Sequence, residues 1–268
     1  MRAGALSPEQ LRQLSVHGLS VRSYAGAVIG LELFTTVIFL AVATLIFWRR
    51  AESRIALYCA TTLVLFGGTF AGPGSGGPMR ALIVLAPFWN LPVDSLRVLG
   101  NVCFAALFYL FPSGRWVPHW TRWLMIPWML VAIVQEVFPS SSANPGQTGM
   151  LGNLLFAGLV STIVVAQVYR YRAVSTTVER HQSKWVVFGS ALGIVVLVVT
   201  SLLLPRVTPA VSPIASLDRG AAISLAIVVV PVSVAVAILR SHLFDIDRLI
   251  NRTLVYGGLT GIVAGGTS

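Results

Sequence analysis

Charge is scarce in this chain: Asp, Glu, Lys and Arg make up 10% of its 268 residues, against ~25% in soluble globular domains. With 56% hydrophobic residues, a water-soluble fold would lack the polar side chains to cover its own apolar surface. Long polar stretches are missing too. Hydrophobic runs recur from Tyr24 to Leu239, and no interval between them is long enough for a separate soluble domain.

Cysteine and histidine are almost absent. Cys59 and Cys103 lie inside apolar runs, and His17, His119, His181 and His242 are scattered through separate polar segments. Neither a disulfide framework nor a metal site finds ligands at workable spacing, and the two cysteines read as small apolar fillers. No metal ligand is assigned. Catalytic carboxylate pairs are missing as well, because Asp245 and Asp247, two residues apart, fall on different sides of a helix.

Gly72-Pro73-Gly74-Ser75-Gly76-Gly77 has the spacing of a dinucleotide-binding loop, but it follows an apolar helix rather than a strand and is flanked by prolines. Asn251-Arg252-Thr253 matches a glycosylation acceptor on the wrong side of the membrane. No catalytic or cofactor-binding residue and no cofactor is therefore assigned, and the chain is not expected to be an enzyme.

The apolar runs themselves are the dominant feature. Tyr24–Trp48 contains one charged residue, Glu32, in 25 positions, and a hydrocarbon core ~30 Å thick needs ~20 apolar residues of helix. The first 23 residues lack the apolar segment of a cleavable signal, so Tyr24–Trp48 reads as a retained anchor. Further runs at Ile55–Ala71, Val98–Phe111, Trp123–Phe138, Leu151–Tyr169, Trp185–Leu204 and Ala221–Leu239 bring the predicted spans to seven. The expected fold is all-α, a polytopic helical membrane bundle.

Flanking this bundle, residues 1–23 form an outer segment with a short helix, signalled by Ser7-Pro8-Glu9-Gln10 at its start and Gly18 at its end. Ala81–Val93 is apolar but short and holds Pro87, Asn90 and Pro92, so it reads as an interfacial or re-entrant piece, while Arg97 is expected to snorkel outward. Residues 240–252 form a polar juxtamembrane stretch whose apolar positions 243, 246 and 250 share one helical face. Thr253–Gly265 reads as the start of a truncated eighth helix, too short to cross.

Eighteen of the nineteen basic residues are Arg and one, Lys184, is Lys. Twelve fall on one set of alternate loops and seven on the other, so the first set is expected to be cytoplasmic and the N-terminus outside. Trp48, Trp116, Trp120, Trp123 and Trp185 lie at the cytoplasmic ends, as an aromatic belt would. The net charge of +10 is thereby explained by topology, and nucleic acid is excluded as a partner. The lipid bilayer is the expected one.

Glu32 is the one carboxylate well inside a span, and an intramembrane charge is a functional candidate by default. With Trp89 and Asp94 in the outer segment it forms the candidate stimulus site. Asp245, Asp247, Arg248 and Arg252 are the candidate coupling residues, on the stretch that leaves the bundle. Gly26 and Gly30, Gly189 and Gly193, and Gly257, Gly261 and Gly265 recur at four-residue spacing, which intramolecular helix packing explains. A second copy of the chain stays open as a partner. An offset of 68 residues aligns Glu179-Arg180 with Asp247-Arg248 and Phe188-Gly189 with Tyr256-Gly257, consistent either with a parallel repeat or with two similar basic linkers.

Three stretches carry a resemblance: Tyr109-Leu110-Phe111-Pro112-Ser113-Gly114-Arg115-Trp116-Val117-Pro118, the linker Arg170–Gly189 with Glu179-Arg180-His181-Gln182-Ser183-Lys184-Trp185-Val186, and Leu243-Phe244-Asp245-Ile246-Asp247 through Tyr256-Gly257. Together they resemble the multi-helix N-terminal membrane region of bacterial two-component sensor histidine kinases. The resemblance implies a sensory input module in the bacterial inner membrane, with a separately encoded kinase as a further open partner. His242-Leu243-Phe244-Asp245 does not match the family's phosphoacceptor pattern of a His followed at once by an acidic residue. The alternatives are a transporter or channel-like fragment, or a structural or non-functional membrane fragment.

Overall fold

The computed structural model describes residues 8–69, 79–111, 113–142, 144, 150–173, 189, 195 and 213–265, with side chains described only to residue 239 in the last of these. The regular elements of these residues are helices, with no strand among them. In order they are α1 (Pro8–Val16), α2 (Val21–Arg50), α3 (Arg54–Thr69), α4 (Arg80–Leu85), α5 (Asn90–Leu110), α6 (Met125–Val137), α7 (Met150–Ala173) and α8 (Pro213–Gly265). Short 3₁₀ turns at Pro87–Trp89 and His119–Leu124 lead into α5 and α6.

Three helical stretches are long and apolar enough to cross a membrane: Val21–Arg50, Pro87–Leu110 and Pro213–Leu239. Arg54–Thr69 and Leu154–Arg170 are apolar but shorter. The predicted sixth span, Trp185–Leu204, lies outside the described residues except for Gly189 and Val195, as do the Gly72–Gly77 motif and most of the Arg170–Gly189 linker.

α2 shows how the bundle is built. Ser20 caps it, its Oγ accepting the Ser23 N–H at 3.0 Å, and Arg49 and Arg50 face the negative end of its dipole. Thr35, Phe39, Ala43 and Ile46 are buried and recur at helical spacing on one face. Positions 26 and 30 fall on the opposite face, where a Cβ would meet nothing within 4 Å. The expected packing through Gly26 and Gly30 is therefore not made among the described residues. Gly67 is where α2 and α3 close: Thr36 Oγ1 donates to its carbonyl at 3.1 Å, and a Cβ there would overlap Phe39. Gly189 packs similarly, leaving no room for a Cβ beside Ser233.

α2 packs against α3 and α8, α3 against α5, and α5 against α6 and α7. The core between them is aromatic: Phe66 stacks on Phe104 with ring centroids 3.9 Å apart, and Phe108 meets Phe104 edge-on at 5.3 Å. Tyr24 of α2 and Ser216 of α8 share a hydrogen bond of 3.1 Å, which sets the starts of these two helices side by side. Arg50, Arg54, Arg115, Arg122 and Arg170 gather at the other end, hereafter the basic end.

Two elements differ from the expectation. α5 begins at Asn90 rather than Val98 and carries Pro92 in its first turn, where the missing N–H has no helical acceptor to lose. α8 is a single helix of 53 residues, so the predicted span Ala221–Leu239 and positions 240–252 belong to one helical backbone that runs on to Gly265. Pro231 lies inside it, and Ser233 Oγ donates back to the Val229 carbonyl at 2.7 Å.

Candidate functional site at the two ends of α5

Glu32 is half-buried and partnered. It continues the buried stripe of α2, three residues before Thr35 and seven before Phe39, so it belongs to the side that packs on the bundle. Asp94, also half-buried and partnered, sits in the first turns of α5, and Trp89 ends the 3₁₀ turn before it with its ring 5.1 Å from Phe88. α2, which carries Glu32, and α5, which carries Asp94, both pack against α3, and Phe39 of α2 meets Phe104 of α5 with ring centroids 6.4 Å apart. Asp245, Asp247, Arg248 and Arg252 have helical backbone in α8, and their side chains lie outside the described residues.

Asp94, Arg97 and Asn101 share one face of α5, spaced i, i+3 and i+7. Facing them is Glu136 near the end of α6. Arg97 Nη1 pairs with Glu136 Oε2 at 2.9 Å, the two side chains being 15% and 17% exposed, and Asn101 Nδ2 donates to Glu136 Oε1 at 3.2 Å. Both carboxylate oxygens are thus engaged. Arg97, expected to snorkel outward, instead reaches the carboxylate of Glu136 on the adjacent helix. One donor stays over, since Arg97 Nε is buried without a hydrogen-bond partner.

The basic end of α5 is held differently. A helix leaves its last four carbonyls without intrahelical donors, and here each of the four, Leu107 to Leu110, has one. Phe111 N–H closes on Leu107 O at 2.8 Å and Gly114 N–H on Leu110 O at 2.8 Å. Gly114 takes φ +71° to do so, a conformation that favours glycine. Gln167 Nε2 of α7 donates to Phe108 O, and Arg170 Nη2 donates to Tyr109 O at 2.6 Å. Arg170 also reaches past the helix, from Nη1 to Phe111 O and from Nη2 to Arg115 O at 2.5 Å.

Arg170 is only 3% exposed, so its guanidinium is a buried cation spread over three backbone carbonyls. Next to it, Tyr109 Oη shares a 2.5 Å hydrogen bond with Thr162 of α7 and accepts from Trp128 Nε1 of α6 at 3.2 Å. The Tyr109–Pro118 stretch singled out in the sequence is therefore the capped end of α5 and the loop tied to it. Sequence reasoning treated Arg170 as one more loop charge and passed over Gln167. The available signal was their spacing, because Ile163, Ala166, Gln167 and Arg170 form one buried stripe on α7.

Chemically, neither end combines a nucleophile with a base, and no group of three potential metal ligands occurs among the described residues. Both ends do mechanical work, fixing α5 to α6 at one end and to α7 and the following loop at the other. Compared with protein-family models, with characterised proteins and with solved structures, the chain matches none.

Proposed function

We propose that the chain is a seven-span sensory input module of a bacterial inner membrane, similar to the membrane region of two-component sensor histidine kinases, which passes its state to a kinase through α8. The observation that carries this reading is the continuity of α8: one helix of 53 residues packs on α2 inside the bundle and runs on through residues 240–252. At 1.5 Å per residue it is ~80 Å long, more than twice a hydrocarbon core. A signal between distant sites needs a continuous element with two arrangements. A continuous helix transmits rotation or translation, and Pro231, which removes a backbone hydrogen bond, offers a place for it to bend.

A fusion of residues 1–265 to the catalytic part of a histidine kinase tests this. Alanines inserted one at a time after Ile250 rotate everything beyond by ~100° each, so kinase output should rise and fall with the helical period. Output that is flat, or that declines steadily with insertion length, removes the coupling role of α8.

A second reading, a transporter-like fragment, gains one observation. It needs more than one polar site among the membrane helices, and the Arg97–Glu136 pair adds a second to Glu32. Ion or solute flux into vesicles holding the chain, abolished by Glu32→Gln, would favour that reading over the sensory one.

A further inference from the structure

The loop between α5 and α6 presents a surface that neither end of α5 uses. Arg115, Trp120, Arg122 and Trp123 are all exposed, the two indoles 47% and 61% so. Arg122 lies over the Trp123 ring, its guanidinium carbon 5.2 Å from the centroid. Such exposure is unusual for tryptophan, and here it is built in. Thr121 is fully buried and its Oγ1 donates to Pro118 O at 2.7 Å, and Leu124 packs against the core, so the 3₁₀ turn is pinned from its inner side. In a 3₁₀ helix positions i and i+3 eclipse, which sets Trp120 and Trp123 on one edge. On the other side of the loop the Arg115 backbone is anchored by Arg170, and the half-buried Trp116 lies 6.4 Å from Tyr109.

The charge of this loop has one sign. No Asp or Glu occurs in the sequence between Asp94 and Glu136, and neither Arg115 nor Arg122 is paired with a carboxylate among the described residues. Arg122 thus stands beside the Trp123 indole, and Arg115 is a second exposed guanidinium on the same loop; guanidiniums grip phosphate oxygens through paired donors, and indoles of this kind sit at headgroup level. They stand at the end of an apolar helix, α6, where a membrane surface would lie.

We propose that this loop is a binding surface for the phosphates of anionic phospholipid headgroups, held by Arg122 beside Trp123 and by Arg115 on the same loop, with Trp120 and Trp123 seated among the headgroups. The complementarity of charge selects this occupant: a zwitterionic lipid offers the same phosphate but carries its own cation, which two unpaired arginines would repel. The inference rests on the chain lying in a bilayer and not on the sensory reading, which a negative result would leave untouched.

The test is lipid selectivity. The full chain is reconstituted in phosphatidylcholine vesicles containing a trace of spin-labelled phosphatidylglycerol or of spin-labelled phosphatidylcholine, and the motionally restricted fraction of each label is measured. The wild-type chain should restrict the anionic label in preference. Arg115→Gln with Arg122→Gln should lower that preference by up to about fivefold per arginine, the worth of one basic residue at an anionic surface. Arg115→Lys with Arg122→Lys should retain part of it, which also shows that substitution here leaves the fold intact. The control removes equal charge elsewhere at the basic end, through Arg49→Gln with Arg172→Gln at two exposed positions. An equal loss from the control pair, or no anionic preference in the wild-type chain, overturns the site.

Discussion

The two ends of α5 do the same job with opposite chemistry. Far from the basic end, Arg97 and Glu136 join α5 to α6 as a pair of opposite full charges, their side chains 15% and 17% exposed. At the basic end, Arg170 joins α5 to α7 as one buried charge against neutral carbonyls. The first contact is expected to be the cheaper to break, because each charge answers the other and their side chains keep some exposure. The second is not, since three carbonyls and a guanidinium would have to be left buried without partners or the loop would have to unfold. A helix held this way is fixed at the basic end and adjustable at the other. That asymmetry suits an input module in which a stimulus acts on one side and the response emerges from the other.

The strongest way to break the comparison is to remove the buried cation. Arg170→Met keeps much of the side-chain volume but takes the guanidinium donors from Tyr109 O and Arg115 O and leaves Phe111 O only the 3.5 Å contact from Gln167. An unsatisfied buried group costs about 1–3 kcal/mol, so a loss of about 3 kcal/mol or more in unfolding free energy is expected in denaturant titrations of the detergent-solubilised chain. Arg170→Lys, with a single compact ammonium in place of a planar fork, should recover only part of the loss. Stability unchanged in Arg170→Met would show that the clasp contributes nothing.

Next in size is Gln167→Leu, which strips the donor from Phe108 O and the weaker, 3.5 Å one from Phe111 O. A cost of about 1–2 kcal/mol is expected in the same titration, reduced if the freed carbonyl is reached by water. Because Gln167 and Arg170 serve adjacent carbonyls, the double variant should depart from additivity, as neighbours in one network do. Strict additivity would mean the two side chains act as separate anchors rather than as one cap.

These effects bear on what could be read from sequence. The long run that became α2 was legible because hydrophobicity alone, summed over its length, decides whether a segment can cross a bilayer. So was the apolar character of α5 and of α8 up to Leu239. The roles of the arginines were not. Arg170 and Arg115 sit in one count of basic residues, yet one is buried under carbonyls and the other is exposed, and a charge count carries no information about which helix face a residue occupies. Position relative to the buried stripe of α7 would have separated them. Likewise Asp94, Arg97 and Asn101 show in the sequence as a polar line on an apolar helix, which demands a partner without saying where it lies. Glu136 supplies it from a helix end 35 residues beyond Asn101, a distance across which spacing rules are silent. The unbroken course of α8 escaped for another reason: the polar residues after Leu239 mark a change of solvent, not a change of backbone.

Smaller again is Tyr109→Phe, which keeps the buried ring and removes the hydroxyl shared by Thr162 and Trp128. Hydrogen bonds between membrane helices average about 0.6 kcal/mol, so a loss of about 1 kcal/mol is expected. The near-ultraviolet circular dichroism of Trp128 should change with it. If stability falls while that signal stays fixed, the Trp128 bond is not part of the network.

The least effect is expected where charge is most visible. If ions reach the Arg97–Glu136 pair, it is worth about 0.2–1 kcal/mol, so Glu136→Gln, which keeps an acceptor for Asn101 and removes the charge facing Arg97, should cost less than 1 kcal/mol. Its value as a test lies in salt. Screening acts on charges that ions can approach and much less on buried ones, so raising ionic strength should weaken the wild-type chain towards the level of Glu136→Gln and leave that variant unmoved. The same titration on Arg170→Met should show its full deficit at every salt concentration. A double cycle with Arg97→Gln isolates the pair from the separate losses of each side chain, and its coupling should shrink as salt rises. A coupling that stays constant, or one as large as the Arg170→Met loss, would place Arg97 and Glu136 beyond the reach of ions, and the contrast between an adjustable end and a fixed one would fail at its weaker half.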